Sequence, residues 1–340
     1  MVMPAKVSVK NCLHRYLGIQ RKRKVIGLPK KIRLALYGEE KFMASFSGYL
    51  RGKKRDMLEL RLFTGMEALE KATAQGKIDV LFAEGLNVQN LDTMSASISQ
   101  IFLLTEEEQE TVQEGSVQKI FKYQPAKDMM GILLSALAEN DRISCLPVSL
   151  GQRRGELIAL YSPFGGGGVT SYAVSMAKES AKSLRTLYVN LEQFHSLIRA
   201  QGRKRMVDSV CSPGMSEVIF YLRQKKEKLA LKLETLVYPW EGVDILPGVG
   251  DYRDLFSITR EDIQGLIEIL LVQTEYEKIF FDIGMLQESM MYLMEQCSRL
   301  YMPKPAGEMQ ECKVKAFREL LQKEGKDRLL GQIFYVDMKV

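Results

Sequence analysis

ELIALYSP (156–163), FGGGGVTS (164–171) and YAVSMAKESAKSL (172–184) follow one another without a break. The first is an apolar, branched run of strand length. The second sets four glycines in a row. The third has helical spacing with small residues facing inward. A strand, a glycine loop and a helix in that order give a glycine motif its meaning. Successive glycines let backbone N–H groups turn toward one point, and the helix N-terminus adds its positive end, so the segment reads as a phosphate cradle. Three further strands follow at TLYVNLEQF (186–194), KIFFDIG (278–284) and RLYMPKP (299–305), and GQIFYVDMKV at 331–340 reads as another. Strands alternating with helices predict an α/β domain over 156–340.

Aligned residue by residue, the loop resembles that of the MinD/ParA group of P-loop ATPases, which reads roughly K-G-G-x-G-K-[ST]-[ST]. Gly165, Gly166 and Gly168 match its glycines, with Gly167 between them. Phe164 stands at the first lysine and Val169 at the second, so both lysines are gone. Thr170 takes the Mg²⁺-binding hydroxyl position, with Ser171 after it. The resemblance implies ATP or ADP with Mg²⁺ as the cofactor, held by the cradle, Thr170 and Asp282. It further implies that Gly284 lets backbone approach the phosphate and that Glu192 orients a water, where the group usually has two acids one apart and this chain has Asn190 and Glu192. Losing a charged contact to phosphate costs about 1.5–3 kcal/mol, or about ten- to a hundredfold in affinity. Losing a clamp on the transferred phosphoryl group costs about 10³-fold in rate. Nucleotide binding is therefore expected to be weakened and efficient hydrolysis is not expected; any activity would be that of an ATPase. Two plainer readings stay open: a relict loop that binds nothing, and Asp282 as a strand-end cap.

Upstream, IRLALYG (32–38), LELRLFT (58–64), DVLFAEG (79–85), ISQIFLLT (98–105) and QKIFKYQ (118–124) read as five strands, with helices at 41–52, 66–76 and 128–139. This is the pattern of a small doubly wound sheet. It resembles the response-regulator receiver domain, with the chemistry largely missing. Glu39 and Glu40 follow the first strand where receivers are acidic. Glu84 replaces the phosphorylated Asp, Thr105 fits the fourth-strand hydroxyl, and Gln124-Pro125 stands where Lys-Pro is expected. Without a lysine a phosphoryl group would lack its charge partner. Residues 32–140 are thus expected to form a degenerate receiver-like domain serving interaction or dimerisation, and Glu84 can also be read as a simple polar strand end. Residues 141–155, with Leu146-Pro147 and a polar, basic glycine stretch, read as a linker.

The fold class expected is α/β: two doubly wound domains, a flavodoxin/receiver-like one followed by a MinD/ParA-like P-loop one. With 340 residues the chain can bury a real core in each. No run is long and apolar enough to span a bilayer and no secretion signal is seen. Five scattered cysteines without a CxxC pair fit a reducing cytoplasm and argue against structural zinc, and two histidines leave little room for a histidine-based site. The net charge of +6 is local: residues 1–31 hold nine Lys/Arg and no acid, leaving 39 basic against 42 acidic groups elsewhere. That leader is either solvated and poorly ordered or a contact for anionic lipid or nucleic acid.

The pairing of a decayed receiver with an atypical P-loop domain, together with LYVNLEQF, the Asp251–Glu261 region and FFDIG, is similar to the TadZ/CpaE pilus-localisation proteins of tight-adherence (Flp) systems. That resemblance implies a homodimer in the cytoplasm, at the inner face of the membrane or the cell pole, recruiting pilus-assembly and secretion machinery. It leaves membrane contact to the leader and disfavours nucleic acid as a partner. The alternatives are a slow positioning ATPase and a ParA-like nucleoid or membrane binder. His195 reads as a loop residue and RQKKEKLALK (223–232) as a solvated helical face, although basic surface patches let some MinD/ParA relatives bind DNA or membranes. The methionines at 285, 290, 291 and 294 read as core or as an adaptable partner surface.

Overall fold

A computed structural model describes residues 31–54, 57–107, 113–140, 143, 155–194, 214–224 and 228–338. The basic leader up to residue 30, nearly all of the 141–155 linker and His195 lie outside the described residues. Two sheets form. The first uses β1 (Ile32–Tyr37), β2 (Leu58–Phe63), β3 (Val80–Glu84), β4 (Gln100–Thr105), β5 (Gln113–Glu114) and β6 (Val117–Phe121). Its order is β2-β1-β3-β4-β6-β5. Five strands run parallel in the flavodoxin-like sequence of a doubly wound sheet. The two-residue β5, absent from the expected five strands, adds antiparallel at the edge.

Helices α1 (Glu40–Lys54), α2 (Met66–Ala74), α3 (Val88–Ser95) and α4 (Ala126–Glu139) connect these strands. The α3 segment was not anticipated; its N-cap Asn87 accepts from the Asn90 amide at 2.8 Å, a capping signal present in the residues themselves. Each sheet face carries its own apolar layer, Leu34, Leu36, Phe82 and Phe102 on one side and Ala35, Leu81 and Ile101 on the other. Burial on both faces explains why these strands read as continuous apolar runs.

The second sheet has the order β13-β12-β7-β11-β8-β10-β9. Its strands are β7 (Glu156–Tyr161), β8 (Thr186–Leu191), β9 (Tyr238–Trp240), β10 (Val243–Leu246), β11 (Lys278–Ile283), β12 (Arg299–Pro303) and β13 (Ile333–Val336). All pair parallel except β9. Helices α5 (Val169–Ala181), α6 (Gly214–Arg223), α7 (Leu229–Leu236), α8 (Tyr252–Ser257), α9 (Arg260–Val272), α10 (Glu288–Gln296), α11 (Glu308–Lys323) and α12 (Asp327–Leu330) cover it. Met290, Met291 and Met294 are buried in its larger core, which supports the core reading of the methionines.

Residues 225–227 lie outside the described residues and Arg223 and Gln224 are exposed, but the end of the 223–232 run is not a solvated face. In α7, Leu229, Ala230, Leu231, Lys232 and Leu233 are all buried, because α7 packs against α4 of the first unit. Leu231 joins the first unit's apolar cluster. Lys228 donates to the carbonyls of Leu137 (3.0 Å) and Asn140 (2.5 Å), so it caps the C-terminal end of α4. Lys232 pairs with Glu139 and with Glu217. Two lysines of a run that looks solvent-facing, Lys228 and Lys232, are taken up by the junction of the two sheet units. No helix among the described residues is long and apolar enough to cross a membrane.

Candidate functional site

The glycine loop leaves the C-terminal end of β7, where β12 and β11 lie on either side. Such a point, outside the carboxyl ends of parallel strands, is where doubly wound sheets take ligands. Gly166 and Gly168 have φ of +71° and +73°, left-handed conformations that favour glycine. Helix α5 starts at once from Gly168 as its N-cap, so helix begins earlier than the expected 172. Gly165 and Gly166 are exposed, and so is Ser171. A Cβ on Gly167 would come within 2.8 Å of the Pro303 ring, and one on Gly168 within 2.6 Å of the Met338 carbonyl oxygen. The ends of β12 and β13 therefore sit directly on the loop.

The two lysine positions are filled by apolar packing. Phe164 is 5% exposed and belongs to the large core cluster with Leu191, Met215 and Val249. Its amide accepts no free role either, since it donates to the Ser162 hydroxyl at 3.2 Å. Val169 packs against the cluster of Ile158, Ala173 and Tyr188. Phe164 thus anchors the loop from beneath instead of reaching outward.

Three side chains meet at the start of α5. The Thr170 hydroxyl donates to Glu192 Oε1 at 3.0 Å. Asp282, 1% exposed at the end of β11, lies beside Asn190 in register. Tyr188 donates its phenol to Asp282 Oδ2 at 2.6 Å. Asn190 is buried and its Oδ1 accepts from the Glu192 amide at 2.9 Å, which orients the carboxylate. Burial, then the neighbouring Glu192 charge, pushes the Asp282 carboxyl up to about 6, against the hydrogen bonds from Tyr188 and Thr170. Burial also raises Glu192. Glu192 Oε2 is buried with no donor. A Cβ on Gly284 would lie 2.8 Å from the Glu192 Cα, so its missing side chain admits the Glu192 backbone. Tyr188 escaped the sequence reading. Period-two alternation along TLYVNL places it on the face of Asn190 and Glu192, and that was the available signal.

The donor set fits a divalent cation. The buried Asp282, the partly buried Glu192 and a hydroxyl converge, one carboxylate oxygen has no donor, and no lysine neutralises them. Thr170 and Asp282 would hold Mg²⁺, and the bent glycine backbone would hold phosphate oxygens. Among the described residues no larger group of three or more His, Cys, Asp or Glu forms a metal cluster.

In the first unit the residues assigned to a decayed receiver pocket meet only in part. Lys122, not anticipated, is 3% exposed at its side chain and donates to Glu39 Oε2 at 2.9 Å and Glu84 Oε1 at 2.8 Å. The expectation of a missing lysine is corrected: the cation precedes Pro125 by three residues instead of one. Gln124 only bonds the Phe121 carbonyl. Glu40 stands exposed in the first turn of α1, outside the cluster, and the Thr105 hydroxyl faces the carbonyls of Glu107 and Ile120.

No family model matches the chain, and no curated protein matches it in sequence. Solved structures similar in shape include protein DIP2308 from Corynebacterium diphtheriae, at 15% identity and TM-score 0.44, covering 52% of this chain and 70% of that one. A ParA family ATPase from Chlorobium tepidum TLS is 16% identical with TM-score 0.41, covering 50% and 68%. A cobyrinic acid a,c-diamide synthase from Mycobacterium smegmatis, solved with ADP and magnesium, is 15% identical with TM-score 0.36, covering 49% and 68%. Likenesses of this degree carry no chemistry across.

Proposed function

We propose that the chain is an atypical P-loop protein of the MinD/ParA kind that recruits partners and binds nucleotide without turning it over efficiently. The observation that carries this reading is the Thr170–Glu192–Asp282 cluster beneath a glycine loop whose lysine positions hold buried Phe164 and partly buried Val169. A phosphate cradle and a cation-binding acid pair remain, while the cationic groups that stabilise charge during phosphoryl transfer do not. Mg²⁺, when bound, would supply positive charge against the nucleotide phosphates. Thr170 would offer its oxygen to the metal, Asn190 would keep Glu192 oriented, and Tyr188 would hold Asp282 in place.

The finer reading follows the pattern of the TadZ/CpaE proteins: a homodimer that marks where tight-adherence pilus machinery is assembled, at the inner face of the membrane or the pole, with the basic leader as membrane contact. Lys122 beside Glu84 and Glu39 removes one sign of decay in the first unit, so its interaction role rests on Glu84 standing where receivers carry the phosphorylated Asp. The retained Glu192 beside Thr170 favours a second reading, a slow ATPase. Calorimetry with ATP and Mg²⁺, paired with steady-state phosphate release, tests both. Saturable binding with negligible turnover is expected. Turnover comparable to a lysine-bearing relative, abolished by Asp282→Ala, would replace the recruiter with the ATPase, and absence of binding at millimolar nucleotide would reduce the loop to a relict.

A further inference from the structure

The first sheet ends at β2, and among the described residues no strand lies on its outer edge. Open edges are ordinarily kept short or blunted by proline, lysine or a bulge, because their unpaired N–H and C=O groups invite another strand. The other sheet edges follow that rule. β5 is two residues long, β9 carries Pro239, and β13 is four residues long. β2 is the exception. It runs six residues, LELRLF, with neither proline nor lysine, and keeps unbroken register with β1.

Its backbone fixes how another strand would join. The Ile32 amide bonds the Met57 carbonyl at 2.9 Å. A parallel ladder that starts this way turns the N–H and C=O groups of Glu59 and Arg61 toward β1 and leaves those of Leu58, Leu60 and Leu62 pointing outward. The side chains alternate between faces. Leu58 and Leu60 pack into the first unit's apolar cluster, while Leu62 is 40% exposed. On the other face Arg61 bonds Glu59 at 2.6 Å, and both side chains stay accessible.

The run is complementary to itself about Leu60. An antiparallel second copy centred there sets Leu60 opposite Leu60, Leu58 opposite Leu62, and Glu59 opposite Arg61. The leucines, whose backbone groups point outward, make the hydrogen-bonded pairs. Glu59 and Arg61 fall on the non-hydrogen-bonded pairs, where Cα atoms approach to about 4.5 Å and opposite charges on facing side chains attract. The four charges then alternate in sign. Other registers fail. A slip of two residues in either direction sets Arg61 against Arg61 or Glu59 against Glu59, as does a parallel in-register copy. We propose that two copies of the chain pair β2 to β2, antiparallel across a two-fold axis at Leu60, joining their first sheets into one. This rests on the homodimer of the reading above and names its surface, and it needs no nucleotide.

The test is sedimentation equilibrium of the full chain without nucleotide. A reversible monomer–dimer mixture is expected between roughly 1 and 100 µM, as for a small interface. Glu59→Arg and Arg61→Glu should each weaken self-association at least tenfold, since each sets like charges opposite. Mixing these two variants, or combining both changes in one chain, should restore dimers. Leu62→Lys alters an exposed side chain and should also weaken the dimer at least tenfold, which keeps the test valid if a charge variant fails to fold. ATP calorimetry on Arg61→Glu should match the wild type, so the surface and the glycine loop are judged separately. A monomer throughout this range would overturn the proposal. So would a dimer unmoved by Arg61→Glu and Leu62→Lys, which would leave the homodimer standing on another surface, or charge variants that do not rescue each other.

Discussion

Lys122 and Glu84 form an ion pair of 2.8 Å at the C-terminal edge of the first sheet, with the lysine side chain 3% exposed. Glu39 completes the coordination at 2.9 Å. Lys122→Met leaves Glu84 partly buried without its cation. Breaking a buried pair costs about 3–5 kcal/mol, and the partial exposure of Glu84 lowers the expectation to about 2–3 kcal/mol by urea denaturation. The loss should depend on pH. Burial alone raises the Glu84 carboxyl, but Lys122 and the Glu39 amide hold it below its ordinary value. Its contribution is therefore present above the unfolded carboxylate range and fades as pH falls through the lowered folded value. The wild type and Lys122→Met curves should converge in acid and diverge at neutral pH.

Asp282 behaves in the opposite sense. With its carboxyl pushed up to about 6, the folded chain keeps a proton that the unfolded chain has already lost between about pH 4 and 6. Stability from this group falls as pH rises through that window. Asp282→Asn should stabilise the metal-free protein at pH 7.5 by on the order of 2 kcal/mol and have little effect near pH 4. Thermal melts across pH, without divalent cations, measure it. An unchanged difference at both pH values would contradict the buried-acid account.

Val169→Lys restores a cation at the helix start. Affinity for ATP with Mg²⁺ should rise about ten- to a hundredfold by calorimetry. Thr170→Val should move it the other way, by removing a ligand to the metal.

Gly168→Ala should destabilise the fold by about 2–3 kcal/mol, since it joins a left-handed backbone at φ +73° to a clash with the Met338 carbonyl. Gly165→Ala, with open space at its Cβ, should cost less than about 1 kcal/mol in the same melt.

The parts of the fold written as continuous apolar strands were legible, because burial on both faces leaves a mark on every residue. Thr170, Glu192 and Asp282 came from the resemblance to the MinD/ParA loop and its downstream strands, and the fold brings the three side chains together. Lys122 was not legible. Pro125 served as the anchor for the missing lysine, and the two residues between Lys122 and Pro125, Tyr123 and Gln124, hid a cation that only the sheet brings to Glu84. The α7 segment failed for the inverse reason. Its lysines suggested water, whereas Lys228 and Lys232 spend their charge on the carbonyls and carboxylates of α4. Partners distant in sequence decide such residues, and no local pattern records them.

Leu231 is carried by a helix of the second sheet unit yet lies in the apolar cluster of the first. The chain cannot be cut between its sheets without leaving a greasy socket on one fragment and a bare leucine on the other. Expressed apart, the halves should be prone to sticking and aggregation, and their separate behaviours would not sum to that of the intact molecule.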